Sequence, residues 1–196
     1  MSEPQLRPGR PSDVEGVARV CLLTAHDGEP APMQTVDPDL VADVYARPYL
    51  ELEPATCRVL VVDDTVAGYV VGALDSVQFY RRWQQEWTPR RLPRPQGADP
   101  ALVHLLTTPH IALPEAAQEY PSHLHVNLLP QVRGGGWGRR LVVDFLDGLR
   151  ATGSRGVHLG VDPVNTRAIA FYERLGFSAL TSTASTVVMV LPLALS

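Results

Sequence analysis

The chain has 196 residues, 45% of them hydrophobic, with a formal net charge of −4. That is enough apolar material for one packed core, and the acidic balance gives no bulk attraction for nucleic acid or an anionic membrane. All 17 basic residues are arginine, which excludes a Walker-type phosphate loop, a Schiff-base lysine and the strand lysine of kinases. Cys21 and Cys57 lie in apolar runs without partner spacing and read as buried free thiols in a reducing cytoplasm. The start is polar and no apolar run approaches the length of a span, so neither signal peptide nor membrane segment is expected.

In chain order, Leu6 to Pro8 is a short extended entry. Ser12 with Glu15 forms a capping box ahead of Val14, Val17, Ala18, Cys21 and Leu22, which predicts a first helix. Asp37-Pro38 repeats the start signal before Leu40, Val41, Val44 and Tyr45, a second helix ending before Pro48. Cys57 to Asp63 and Val66 to Leu74 are β-rich runs joined by a turn near Asp63 to Thr65, an antiparallel hairpin. Between about residues 75 and 120 the pattern changes. Phe79, Tyr80, Trp83 and Trp87 recur at helical spacing, a Pro/Arg-rich link runs from Thr88 to Gln96, and Asp99-Pro100 opens another helix. This segment is an elaboration between core strands.

His123 to Leu129 reads as a strand, Gly136 to Thr152 as the helix it feeds and Val157 to Val161 as a second strand, a β-α-β unit with right-handed crossover. Asn165 to Leu175 is a final helix closed by Gly176, and two closing strands, Phe177 to Leu180 and Thr186 to Leu193, follow. Residues 1–196 read as one domain.

The turn inside this unit is Arg133-Gly134-Gly135-Gly136-Trp137-Gly138-Arg139. Glycines between a strand and a helix free the backbone to turn sharply and leave first-turn N–H groups pointing at an anion. The spacing fails the dinucleotide pattern G-x-G-x-x-G, whose third glycine would fall on Arg139. Leu128 to Gly138, with Arg133, Gly136 and Gly138 in the R/Q-x-x-G-x-G/A pattern, resembles the acetyl-CoA signature of the GNAT acetyltransferase superfamily. Asn165, Tyr172 and the run Leu175-Gly176-Phe177 resemble that family's second signature. His123-Leu-His-Val-Asn-Leu-Leu-Pro130 and the run from Gly156 to Val161 are further similar to bacterial GNAT proteins resembling the C-terminal acetyltransferase-like domain of O-GlcNAcase.

The resemblance implies an α/β GNAT fold, a mixed central sheet flanked by helices, with a helical insertion between the third and fourth core strands. It implies acetyl-CoA as co-substrate and direct transfer to an amine acceptor of unknown identity, with no metal, and it leaves a homodimer open. The amides of Arg133, Gly134, Gly135, Gly136, Trp137, Gly138 and Arg139 would cradle the pyrophosphate, Asn165 and Phe171 would contact the coenzyme, and the N–H of Leu128 or Leu129 would face the thioester carbonyl. Tyr172 matches the residue that protonates the departing thiolate. For Asn165 a helix cap, and for Phe171 packing, would also account for the residue.

The base is open. His123, His125 and Asn127 share one strand face by alternation, and the histidines titrate near neutrality. Asp162, at a strand end, is a further candidate, with a turn role as its alternative. His-x-His as a zinc site lacks a third ligand at suggestive spacing. The insertion aromatics either wall the acceptor site or form a buried stripe, and the arginines at 81, 82, 90, 91 and 94 either face solvent or reach the coenzyme's phosphates. Two other classes remain beside the enzyme: a non-catalytic acyl-CoA-binding relative and a nucleotide-binding module.

Overall fold

The computed structural model of the chain describes residues 3–25, 37–94, 97–109 and 114–193. A seven-stranded mixed sheet runs through it: β1 (Gln5–Pro8), β2 (Arg58–Val62), β3 (Thr65–Ala73), β4 (Ser122–Leu128), β5 (Gly156–Val161), β6 (Ser178–Ser182) and β7 (Val187–Pro192). The spatial order is β1-β2-β3-β4-β5-β7-β6. Every neighbouring pair is antiparallel except β4 with β5, the parallel pair that the β-α-β reading requires. Asp63 and Asp64 turn the β2–β3 hairpin at φ 47° and 58°, within the expected Asp63 to Thr65 turn. Aspartate tolerates that left-handed backbone better than the β-branched Thr65 does.

The eight helices among the described residues are α1 (Val14–Leu22), α2 (Pro38–Tyr45), α3 (Arg47–Leu52), α4 (Ser76–Arg82), α5 (Thr88–Arg91), α6 (Pro100–Thr107), α7 (Trp137–Ala151) and α8 (Thr166–Glu173). A π-helical turn at Trp83–Trp87 joins α4 to α5. Asp37 and Asp99 cap α2 and α6 as the Asp-Pro pairs predict, each accepting two first-turn N–H groups. The first helix starts differently. Asp13, not Ser12, accepts the N–H of Arg10, at 2.8 Å, and binds the Arg7 guanidinium, which holds its carboxyl below the usual range. A carboxylate gains a charge-assisted pair that a hydroxyl cannot. Helix α3 is an element the sequence reading lacks, because Pro48 looks like a stop and serves as a first-turn residue. In the insertion, Pro95-Gln96 of the expected link lie outside the described residues.

One sheet face packs on α1, α2, α3 and the insertion through Val17, Leu40, Tyr49, Tyr69, Trp83 and Trp87. The other packs on α7 and α8 through Leu124, Leu141, Phe145, Leu149, Tyr172 and Phe177. The insertion aromatics are therefore the buried stripe: Phe79, Trp83 and Trp87 are almost fully enclosed. Both indoles find backbone acceptors, Trp83 Nε1 on Leu106 O at 3.0 Å and Trp87 Nε1 on Asp43 O at 2.8 Å. A buried N–H demands such a partner.

Gly72 shows how tightly β3, β4 and α7 are set. A Cβ there would stand 2.0 Å from the His123 carbonyl oxygen and 2.7 Å from the Phe145 ring. Backbone on one side and core on the other leave nothing to yield. Gly72→Ala should cost about 3 kcal/mol, read as a fall in the urea midpoint; an unchanged midpoint would contradict this packing.

Candidate active site

Strands β4 and β5 run side by side only at Ser122–Val157 and His123–His158. Beyond His123 they diverge, and the gap between them opens into a cleft of about 840 Å³. Its described lining includes Val126, Asn127 and Leu128 of β4, the glycine turn, and Asn165, Ala168, Phe171, Tyr172 and Leu175 on or beside α8. On the far side of β4, the pairing with β3 sets which amides face the gap. Leu129 N–H donates to Ala67 O at 2.9 Å, and Gly68 lies opposite Leu128. Antiparallel ladders alternate hydrogen-bonded and non-hydrogen-bonded pairs. The Leu129 amide is thus spent on β3, whereas the amides of Val126 and Leu128 point toward β5, into the gap. Of the two candidate amides, Leu128 is the one facing the cleft.

The turn at the end of β4 is held back on itself, since Arg133 Nε donates to Leu128 O at 2.9 Å. Gly134 and Gly136 adopt φ of 82° and 78°, and a Cβ on either would meet nothing within 4 Å. Such backbone favours glycine, and the space a side chain would take is open. Gly136 is the N-cap of α7 and supplies no side-chain acceptor. The first helical bond runs from Arg140 N–H to Gly136 O, so among the described residues the amides of Trp137, Gly138 and Arg139 are the orphan donors of the helix start. Gly135 lies against the Trp137 indole, over which the Arg140 guanidinium sits at 4.5 Å. Gly138 faces Leu128 and the Phe171 ring. The turn thus sets helix-start N–H donors beside open space, an arrangement suited to an anion.

Asn165 does cap α8, its Oδ1 accepting from Ala168 N–H at 3.0 Å, and it lines the cleft as well. Tyr172 lies between Phe171 and Phe177, and burial pushes its phenol far up from its ordinary value. It is protonated at neutral pH. The sequence reading missed Arg167 and Arg174, which line the cleft with Arg133 and Arg139. Their seven-residue separation around Phe171 marks one helix side and was the available signal. The insertion arginines stand elsewhere: Arg82 pairs with Glu86, Arg90 with Glu51, and Arg91 and Arg94 with the buried Asp43.

The base candidates occupy very different settings. Ser76 Oγ donates to Pro121 O at 2.6 Å and lies 2.7 Å from His123 Nδ1. That hydroxyl has one proton, so His123 Nδ1 must donate to it and His123 Nε2 must accept from Tyr49, at 3.0 Å. Tyr49 in turn accepts from His125 Nε2, also at 3.0 Å, and the chain fixes both tautomers. His123 is 4% exposed with both ring nitrogens committed, whereas His125 keeps Nδ1 unprotonated. His158, whose Nδ1 donates to Tyr120 O, completes a desolvated group of three neutral imidazoles. Asp162 is exposed and takes its turn role, accepting from Val164 N–H at 3.0 Å.

Burial lowers all three histidines, and His125 falls to about 4. Between pH 6.5 and 4 the unfolded chain binds protons that the folded chain refuses, so stability is full above 6.5 and is lost as pH falls through that window. For His125 alone the loss is about 3 kcal/mol. Urea midpoints at pH 7.5 and 4.5 should diverge more in the wild type than in His125→Gln; equal divergence would contradict the assigned burial.

The model of the acetyltransferase (GNAT) family matches residues 24–177. O-GlcNAcase of Rattus norvegicus is 28% identical over 181 residues, covering 87% of this chain and 20% of that protein, so the chain spans about a fifth of that relative's length. The crystal structure of SsHAT is 35% identical with a TM-score of 0.91, over 98% of this chain and all of that one. PaiA N-acetyltransferase from Thermoplasma acidophilum, in complex with coenzyme A, shares the fold at TM-score 0.62 and 13% identity over 97% of this chain and 99% of that one. A family match over most of the sequence, on a sheet that parts beside a glycine cradle, places this chain in the GNAT acetyltransferase family, as an acyltransferase.

Proposed function

We propose that the chain transfers the acetyl group of acetyl-CoA directly to an amine. The observation that carries this is the parting of β4 and β5 beside the cradle, with the Leu128 amide turned into the gap and Tyr172 lining the same cleft. Acetyl-CoA would lie with its pyrophosphate on the amides from Trp137 to Arg139 and its thioester beside β4; the complex of PaiA with coenzyme A is in keeping with this. It supplies the activated acyl carbon.

The chain's own groups do the rest. Leu128 N–H stabilises the negative charge that develops on the carbonyl oxygen as the amine attacks. Tyr172 donates a hydrogen bond to the departing sulfur. A phenol raised above 10 is a weaker acid than a thiol near 8.5, so the gain lies in stabilising sulfur charge, with the proton following as the amine sheds its own. The carbon–sulfur bond breaks as the carbon–nitrogen bond forms, and the products are an amide and a free thiol. Among the described residues, His125 Nδ1 has no hydrogen-bond partner, whereas both ring nitrogens of His123 are committed. At about 4, His125 gives little driving force, so the amine must arrive uncharged. Competition binding tests the donor assignment: unlabelled acetyl-CoA should displace labelled coenzyme A at concentrations where ATP and NAD do not. Equal displacement by ATP would overturn it.

A further inference from the structure

Asn127 lines the cleft immediately before Leu128, its side chain on the β4 face shared with His123 and His125. Its Nδ2 donates to the Tyr69 phenol at 3.1 Å. Tyr69 is 1% exposed and faces Cys21 of α1, so that anchor is part of the core. One Nδ2 proton is committed there, and among the described residues Oδ1, the amide's acceptor atom, has no hydrogen-bond partner. A carbonyl oxygen thus stands one residue from the amide turned toward β5. The charged side chains in the described lining are all cationic, Arg133, Arg139, Arg167 and Arg174.

Resting on the transfer reading above, we propose that Asn127 Oδ1 is the acceptor-orienting group, and that this site selects weakly basic primary amines, which present an uncharged nitrogen, over alkylammonium groups such as lysine side chains. A neutral amide oxygen can accept one N–H of an amine and aim its lone pair at the carbonyl carbon beside Leu128. It cannot repay the desolvation of an ammonium, for which a carboxylate would be needed. Tyr69 is the positioning residue, since its phenol holds Nδ2 and so orients the amide.

The test measures thiol release from acetyl-CoA at pH 7 with two probes, a dipeptide amide bearing a free α-amine and Nα-acetyl-lysine amide bearing only an ε-amine. Their free-base fractions differ by more than 100-fold, and wild-type kcat/KM should favour the α-amine by roughly 100-fold. Asn127→Ala should raise the α-amine KM about tenfold with the acetyl-CoA KM unchanged. Asn127→Asp, nearly isosteric, should narrow the preference by admitting the ammonium, and Tyr69→Phe should raise the amine KM less than Asn127→Ala does. Equal use of the two probes, or unchanged amine KM in Asn127→Ala, overturns the inference while leaving acetyl transfer standing. Absence of thiol release with either probe, with acetyl-CoA bound normally, overturns the transfer reading and this inference with it.

Discussion

Tyr172→Phe should lower kcat by about 100-fold and leave acetyl-CoA affinity within about twofold of wild type. The phenol lines the cleft, and among the described residues no hydrogen bond holds it. Its ring is packed between Phe171 and Phe177, so phenylalanine fills the same space. A hydrogen bond to a charged atom contributes about 1.5–3 kcal/mol, and here that gain exists only once the sulfur carries charge. The loss should therefore fall on kcat, with binding spared. Steady-state kinetics with a saturating amine and direct titration of acetyl-CoA separate the two. Unchanged kcat would remove Tyr172 from the chemistry, and weakened binding with normal kcat would make it a packing residue.

Gly136→Val should weaken acetyl-CoA binding by about 100-fold, measured by titration calorimetry. Two penalties combine. A β-branched residue at φ 78° costs about 1–2 kcal/mol in backbone conformation, so the turn would shift and misdirect the orphan amides of α7. Its side chain would also enter the open space where a phosphate oxygen must approach. The loss of one or two charge-assisted hydrogen bonds gives the stated factor. Gly136→Ala, smaller but subject to the same backbone strain, should lie between. Wild-type affinity in Gly136→Val would undo the cradle assignment, provided the urea midpoint shows the variant folded.

The legible parts of this sequence are those set by local chemistry. Asp37-Pro38 and Asp99-Pro100 announce helices because capping is a short-range interaction, and Gly134 and Gly136 announce the turn because their backbone favours glycine. The site itself depends on sheet register, which single-chain patterns do not encode. Leu128 and Leu129 are equivalent in sequence, and only the Leu129–Ala67 hydrogen bond shows which amide faces the cleft. His123 and His125 are likewise equivalent by alternation, and they separate only when Ser76 and Tyr49, distant in the chain, fix their protons. The spacing of Phe79, Trp83 and Trp87 leaves both a pocket wall and core open, and tertiary acceptors for the indoles decide for core. Arg167 and Arg174 escaped because an arginine on a helix surface ordinarily marks solvent.

In the proposed reaction one cleft both holds acetyl-CoA and delivers its acetyl group to an amine. A single turnover with protein in excess of acetyl-CoA and a free α-amine peptide measures it most directly, with free thiol and acetylated peptide quantified together by mass spectrometry. Direct transfer should give equal amounts of thiol and amide, formed at one rate, and no acetyl group left on the protein. Tight binding of acetyl-CoA with no amine-dependent thiol, or an acetylated protein preceding the amide, would contradict it.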